Sequence, residues 1–176
     1  MSKPQINIGL IRPKSPVNVG AVMRAAGCFQ ASAVFYTGDR YDRAKRFNTD
    51  TRKKNLDIAL TGVACLLDSV PENAKIICVE LVEGAISLPD FQHPENAFYI
   101  FGPEDGTISQ EIVDRADSVV YIPTSGCLNL AATVNVVLYD RVAKSPLTVV
   151  GDELIRQSRD INNSTQVRAV TLSNCE

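Results

Sequence analysis

The chain has 176 residues, 45% hydrophobic and 22% charged, a mix that supports one well-buried core and leaves too little chain for two comfortable domains. No apolar run approaches the roughly 18 residues of a membrane helix, and Met1-Ser2-Lys3-Pro4-Gln5 carries no apolar stretch behind its charge, so neither membrane insertion nor a secretory leader is expected and the cytoplasm is the expected compartment. The net charge of −2 conceals a polarity: residues 1–54 carry 11 Lys/Arg against 3 Asp/Glu (+8), and residues 55–176 carry 7 against 17 (−10), which points to a polyanion meeting the first third of the chain.

Strand and helix patterns alternate. Ile6 to Ile11 reads as a buried strand closed by Arg12-Pro13. Pro16 to Phe29 reads as a helix, with Pro16 suited to its first turn and Val19, Met23 and Ala26 forming an apolar row. Ala33 to Tyr36 is a second strand. A basic, irregular segment follows from Asp39 to Lys54, then a helix through about Leu67. Lys75 to Val79 and Ala97 to Phe101 are the third and fourth strands. A short helix from Ser109 to Arg115 follows, with Ser109 as N-cap and Ile112 as buried anchor. Ser118 to Ile122 is the fifth strand, and Asn129 to Ala143 is a helix with Leu130, Val134, Val137, Leu138 and Arg141 at helical spacing. This order predicts a single α/β domain over residues 1–143, built on a mostly parallel sheet with flanking helices. Residues 144–176 read as a C-terminal extension, a candidate for partial disorder, with a helical turn or two at 153–159 before the breaker cluster Asn162-Asn163-Ser164-Thr165.

The five cysteines are odd in number, scattered and never in a C-x-x-C pair, so they read as free thiols. The single histidine, His93, has no Cys or His at ligand spacing. No metal is expected, and His93 reads as an ordinary loop residue. No G-x-G-x-x-G follows Gly9 and no G-x-x-x-x-G-K-[ST] loop exists, which removes the dinucleotide and nucleotide-phosphate motifs.

Ligands of parallel α/β sheets gather where strands end and loops lead into helices, and three such loops have unusual composition. In the first, Asn18 lies near a helix start and Arg24 follows six residues later, an arginine among Ala21, Ala25 and Ala26; taken alone it also reads as a surface charge. In the second, Phe101-Gly102-Pro103-Glu104-Asp105-Gly106, a glycine straight after a buried strand permits close approach of a ligand, and Glu104 sits at the sheet's binding edge; a plain turn with a solvated carboxylate is the alternative. The third, Ile122 to Asn129, is polar and small, and Asn129 reads equally as the N-cap of the last helix.

Together the loops resemble the TrmH/SpoU family of trefoil-knotted SPOUT methyltransferases. Asn18-Val19-Gly20-Ala21-Val22-Met23-Arg24 resembles the family's first motif, Asn followed six residues later by Arg. Phe101 to Ser109 resembles the second, with Gly106 one residue early, and Ile122-Pro123 with Leu128-Asn129-Leu130-Ala131 resembles the third. The resemblance covers about Ile6 to Arg141. It implies a C-terminal trefoil knot, a homodimer with the first and last helices near its twofold axis, and S-adenosylmethionine as methyl donor. Cofactor contacts are then expected near Glu80, Gly102, Ile122, Cys127 and Leu128. The acceptor it implies is an RNA ribose 2′-hydroxyl, expected in tRNA by preference and rRNA otherwise, with Arg24 central and Asn18, Glu104 and Asn129 around it. Two departures stand out: Cys127 replaces the family's Ser before Leu-Asn, and the loop from Ile122 to Leu128 is short.

RNA is expected along Arg40, Arg43, Lys45, Arg46, Arg52, Lys53 and Lys54, with Tyr41 and Phe47 available for base stacking; a solvated charged loop is the competing reading. The competing functions are a base methyltransferase of the same superfamily and a non-enzymatic RNA-binding protein on a decayed methyltransferase scaffold, which Cys127 and the short loop make conceivable.

Overall fold

The computed structural model describes residues 4–45, 58–146 and 149–167. They divide into two units, residues 1–145 and 146–176. In the first, β1 (Ile6–Leu10) leads to α1 (Pro16–Cys28), β2 (Ala33–Tyr36), α2 (Arg40–Lys45), β3 (Leu60–Gly62), β4 (Lys75–Val79), β5 (Ile86–Ser87), β6 (Ala97–Phe101), α3 (Gln110–Asp114), β7 (Ser118–Tyr121) and α4 (Leu130–Lys144). The second contains α5 (Asp152–Ser158), whose residues are exposed. Among the described residues all strands belong to one sheet of order β3-β2-β1-β6-β4-β7-β5, and every neighbouring pair is parallel.

β6 is the hub of this sheet. All five of its residues are buried, and it pairs in register with β1 on one side and β4 on the other, Tyr99 facing Ile8 and Ile77. A strand covered on both faces has no polar side, which is why Ala97-Phe98-Tyr99-Ile100-Phe101 is an unbroken apolar run. Alternate residues feed two cores. Ala97, Tyr99 and Phe101 join Ile77, Val79 and the buried faces of α1 and α4; Phe98 and Ile100 join Cys78, Leu66 and Ile108 on the other side. α1 buries Val19, Val22, Ala25 and Ala26, and α4 buries Leu130, Ala131, Val134, Val137 and Leu138. Each large side chain so covered contributes about 1.5–3 kcal/mol. Gly9 of β1 belongs to this packing: a Cβ there would lie 2.7 Å from Cε1 of Phe98, whose ring stacks on Phe35 at 5.7 Å.

Three expectations are corrected. The helix through Leu67 is not formed over the described residues 58–67: Leu60–Gly62 is the edge strand β3, paired with β2, and only Leu67–Ser69 coils, as a 3-10 turn. Leu60, Val63 and Leu67 fit helical spacing, but a three-residue edge strand with one half-buried side chain shows no alternation to outweigh that pattern. The segment expected to be irregular from Asp39 onward begins with α2, and Tyr41, expected to await a base, is buried edge-on against Tyr36 at 5.1 Å. β5, two residues long, was also not expected from the pattern.

His93 is no ordinary loop residue either. Its side chain is 5% exposed, with Nδ1 2.6 Å from the Tyr99 hydroxyl and Nε2 2.9 Å from Asp140. Arg141 Nη1, which only donates, lies 3.1 Å from the same Tyr99 oxygen, so the hydroxyl gives its own hydrogen to Nδ1 and the imidazole carries its proton on Nε2. Arg141 also donates to the carbonyls of Pro94 and Glu95, and Lys144 to those of Leu88 and Phe91. The last turn of α4 is thereby fastened to the connection before β6.

Gly9→Ala is expected to lower stability by about 1–3 kcal/mol, the cost of overpacking against a ring that cannot swing aside, read from a urea midpoint. Burial, reinforced by Arg141 and Lys144, outweighs the pull of Asp140 and holds the His93 pKa below 6.5. The sign follows: the neutral ring stabilises the fold fully above about pH 6.5, and that contribution is lost as pH falls through the lower folded-state pKa. His93→Gln is therefore expected to melt earlier than the parent at pH 8 and to lose less of its melting temperature between pH 7 and pH 5.

Candidate active site

β6, β4 and β7 are neighbours, and the ends of all three, Phe101, Val79 and Tyr121, line one open cavity of about 160 Å³. This is where a parallel sheet offers loop backbone and helix starts to a ligand. Of the residues that the family resemblance nominates, Glu80, Gly102, Glu104, Ile122, Cys127 and Leu128 all line it. Asn18, Arg24 and Asn129 do not.

Glu80 leaves β4 and turns its carboxylate inward, accepting from its neighbour Leu81 N–H at 2.9 Å and from Ile108 N–H at 3.1 Å. Gly102 makes room for it: a Cβ at Gly102 would stand 2.8 Å from Glu80 Oε2. The glycine after the strand therefore serves close approach. Cys127 is an exposed free thiol and Leu128 is 41% exposed at the mouth.

Glu104 joins two loops. Its Oε2 accepts from Lys14 N–H at 2.7 Å, and its Oε1 from Ser15 N–H at 3.1 Å and from the Asn18 amide at 3.1 Å. These donors surround the N-terminus of α1, whose N-cap is Ser15, its hydroxyl accepting from Asn18 N–H at 3.3 Å. A carboxylate there satisfies free N–H groups and meets the positive end of the helix dipole. Burial alone would raise the Glu104 pKa, but the hydrogen bonds from Lys14, Asn18 and Ser15 outweigh it and leave the pKa below the ordinary carboxylate value. Asn129 performs the corresponding task for α4, its Oδ1 accepting from Ala132 N–H at 2.8 Å.

Arg24 is exposed on α1, six residues and roughly 9 Å of helix rise beyond Asn18, and makes no hydrogen bond or ion pair among the described residues. The basic residues after β2 are only partly described. Arg40 forms a two-pronged pair with Asp105, 2.7 Å for each bond, and Arg43 pairs with Asp39 at 2.8 Å. The hydrogen bonds from Arg40 hold the Asp105 carboxyl down at about 2. The Lys45 side chain and Arg46, Phe47, Arg52, Lys53 and Lys54 lie outside the described residues.

Sequence reasoning missed Tyr121, Thr124 and Thr133 of the lining. Thr124 closes its own loop by donating to Gly126 O at 2.7 Å, and Thr133 donates to Asn129 O at 2.9 Å, one turn into α4. The second position could have been found from the i, i+4 spacing to Asn129. Among the described residues no group of three or more His, Cys, Asp or Glu side chains could hold a metal ion. No helix among them is long and apolar enough to cross a membrane.

Residues 5–139 match the family model described as the SpoU rRNA Methylase family. Among solved structures the chain is similar to the SpoU methyltransferase AviRb of Streptomyces viridochromogenes, solved in complex with AdoMet, with a TM-score of 0.65 and 20% identity over 82% of this chain and 59% of that one. It is similar to a protein solved in a study of 2-OH methylation of C/U34 on tRNA, with a TM-score of 0.65 and 22% identity over 82% of this chain and 92% of that one. A TrmH/SpoU tRNA modifying enzyme of A. aeolicus gives a TM-score of 0.62 and 17% identity over 89% and 85%. The chain thus spans 59% of the Streptomyces protein but most of the other two. At these identities the likeness is one of fold. No curated protein matches the sequence.

Glu104→Gln is expected to lower stability at pH 7 by about 1 kcal/mol, the low end for charge-assisted hydrogen bonds because the group is solvent-accessible. Since the native pKa is depressed, the advantage of the parent protein is present above the ordinary carboxylate range and shrinks as pH falls through the native value. Urea titrations at pH 7 and pH 3.5 check both the size and its disappearance.

Proposed function

The chain belongs to the SpoU rRNA methylase family, and on that premise we propose that it transfers a methyl group from S-adenosylmethionine to a ribose 2′-hydroxyl of RNA, with tRNA as the favoured target class. The observation that carries this reading is the charge of the cavity. Its lining includes two carboxylates, Glu80 and Glu104, and no lysine or arginine. Such a wall suits a ligand bearing a sulfonium and an ammonium, and opposes a nucleotide polyphosphate. The donor chemistry fits: Gly102 gives room to the Glu80 carboxylate, and Ile122, Leu128 and the strand ends supply apolar wall and backbone groups. The bound donor supplies an electrophilic methyl group; the protein must prepare the hydroxyl. The tRNA preference is supported by the similarity to the two proteins concerned with tRNA, of which this chain covers 92% and 85%.

A ribose hydroxyl is largely protonated at neutral pH, and each pK unit of prior ionisation costs about 1.4 kcal/mol. Alignment and proton removal must accompany attack. Glu104, Asn18 and Asn129 hold the starts of α1 and α4 and so position the loops. Arg24 binds the phosphate beside the acceptor and lowers the hydroxyl's pKa, the proton leaving through phosphate or water; a guanidinium is too weakly acidic to act as the base. Arg24 does not line the cavity of its own chain, so it acts on the cavity of a partner in a homodimer. The exposed apolar side chains of α1 and α4, Val17 at 73%, Tyr139 at 65% and Val136 at 37%, support that pairing. The trefoil threading belongs to the same reading. β7 lies between β4 and β5, so the chain leaving β7 at 122–129 passes the 80–85 connection that bridges those two strands.

The test combines unfractionated tRNA, labelled S-adenosylmethionine and the protein, followed by nucleoside mass spectrometry. Ribose-methylated nucleosides, at linkages that resist alkali, are expected. A methylated base would instead assign the base reaction, and no donor binding by calorimetry would favour an RNA-binding protein without activity. Arg24→Ala, folded and dimeric, is expected to lose at least about a hundredfold in turnover, the usual cost of removing a group that stabilises developing charge. Unchanged turnover would exclude that role.

A further inference from the structure

We propose that Arg12 and Lys14, on the turn between β1 and α1, are the phosphate contacts through which the RNA strand is laid across the mouth of the cavity; this rests on the methyl-transfer reading above. Both side chains are exposed, on either side of the buried Pro13. Neither forms an ion pair or side-chain hydrogen bond among the described residues. That sets them apart from Arg40 and Arg43, whose charges are already met by Asp105 and Asp39. The positive excess of the first third of the chain is therefore available here and not at those two arginines.

The turn is held in place firmly. Ile11 N–H donates to Phe101 O at 3.0 Å, Arg12 N–H to Thr37 Oγ1 at 3.2 Å, and Lys14 N–H to Glu104 at 2.7 Å. Phe101 and Glu104 both line the cavity, so the turn borders its rim. Arg12 has a φ of 45°, the left-handed region that a branched-off side chain rarely adopts. Its stem lies over Gly38, where a Cβ would stand 3.1 Å from Arg12 Cγ, so a residue larger than glycine at 38 would displace the arginine. Strained backbone kept by surrounding hydrogen bonds concentrates at binding sites. The Lys14 ammonium lies near enough to Asp105 to help depress its pKa without pairing with it.

The chemistry of the ligand follows from the division of charge. Cations on the rim oppose a sulfonium cofactor and favour a phosphate. Two residues of chain span no more than about 7 Å, which lets each cation neutralise its own phosphate of one strand. An acceptor ribose delivered to the cavity must bring its flanking phosphates to this rim.

The experiment measures affinity for unfractionated tRNA between 50 and 300 mM KCl for the full chain and for Arg12→Gln/Lys14→Gln, a pair that keeps Cβ and stem while removing charge. The double variant is expected to bind about tenfold more weakly at low salt, with a salt slope reduced by about 1.4, the equivalent of two single-strand phosphates. Arg115→Gln, an exposed arginine where α3 returns toward the other end of the sheet, is the control and leaves both values unchanged. Parent-like affinity and slope in the double variant, with melting temperature preserved, would overturn the assignment alone. A parent protein that binds S-adenosylmethionine but no RNA would also overturn it, while one that binds neither would remove the methyl-transfer reading as well.

Discussion

The site depends on one carboxylate. Glu104 reaches from the loop after β6 to the start of α1, almost ninety positions earlier in the chain, and takes two backbone N–H groups and an amide. Without an acceptor there, those donors and the positive end of α1 would have to be solvated, and beyond the Ile11–Phe101 backbone bond the two loops would lose the tie between them. The competition is between desolvation, which opposes the charge, and three donors that favour it, and the donors win. The negative charge that remains then contributes to the cavity wall. One group thus sets the geometry of the loops and part of the field within them.

That field is divided. Carboxylates lie within the cavity, cations lie on the turn beside it, and the Arg40–Asp105 pair stands at the boundary with both charges met. A site that brings together a cationic donor and a polyanionic acceptor has opposite electrostatic demands a few ångströms apart. A uniform potential would favour one substrate and repel the other. Pairing Arg40 with Asp105 ties α2 to the same loop that carries Glu104. The near-zero net charge of the whole chain reveals none of this, whereas the contrast between its first third and the remainder does.

The sheet was legible in the sequence where its strands are buried. β1, β2, β4, β6 and β7 are apolar runs of four or five residues bounded by glycine, proline or polar clusters, and a strand covered on both faces leaves that trace. β3 and β5 occupy the two edges, with three and two residues and mostly exposed side chains, so burial imposed no pattern on them. The cavity residues were legible because glycine, proline and small polar residues mark strand ends. Their partners were not. Arg40 meets Asp105 65 positions away, and His93 meets Asp140 47 positions away; such pairings are set by strand order, which local spacing does not encode. Tyr41 illustrates the converse error, an aromatic beside basic residues that the local pattern offers to a base and the fold places in the core.

The residues nominated for catalysis separate by what already occupies them. Asn18, Glu104 and Asn129 each have a polar atom committed to a helix start, which fixes where the side chain stands. Such groups hold distances; they are poorly suited to moving protons. Arg24 has no such commitment and lies on a helix face whose exposed neighbours are apolar or small. A guanidinium kept free on that face has little structural value to its own chain, and its worth must come from something brought against it. In the proposed homodimer the cavity and Arg24 would meet across a pair of chains, and the same apolar surface would exclude water from the place where the hydroxyl loses its proton.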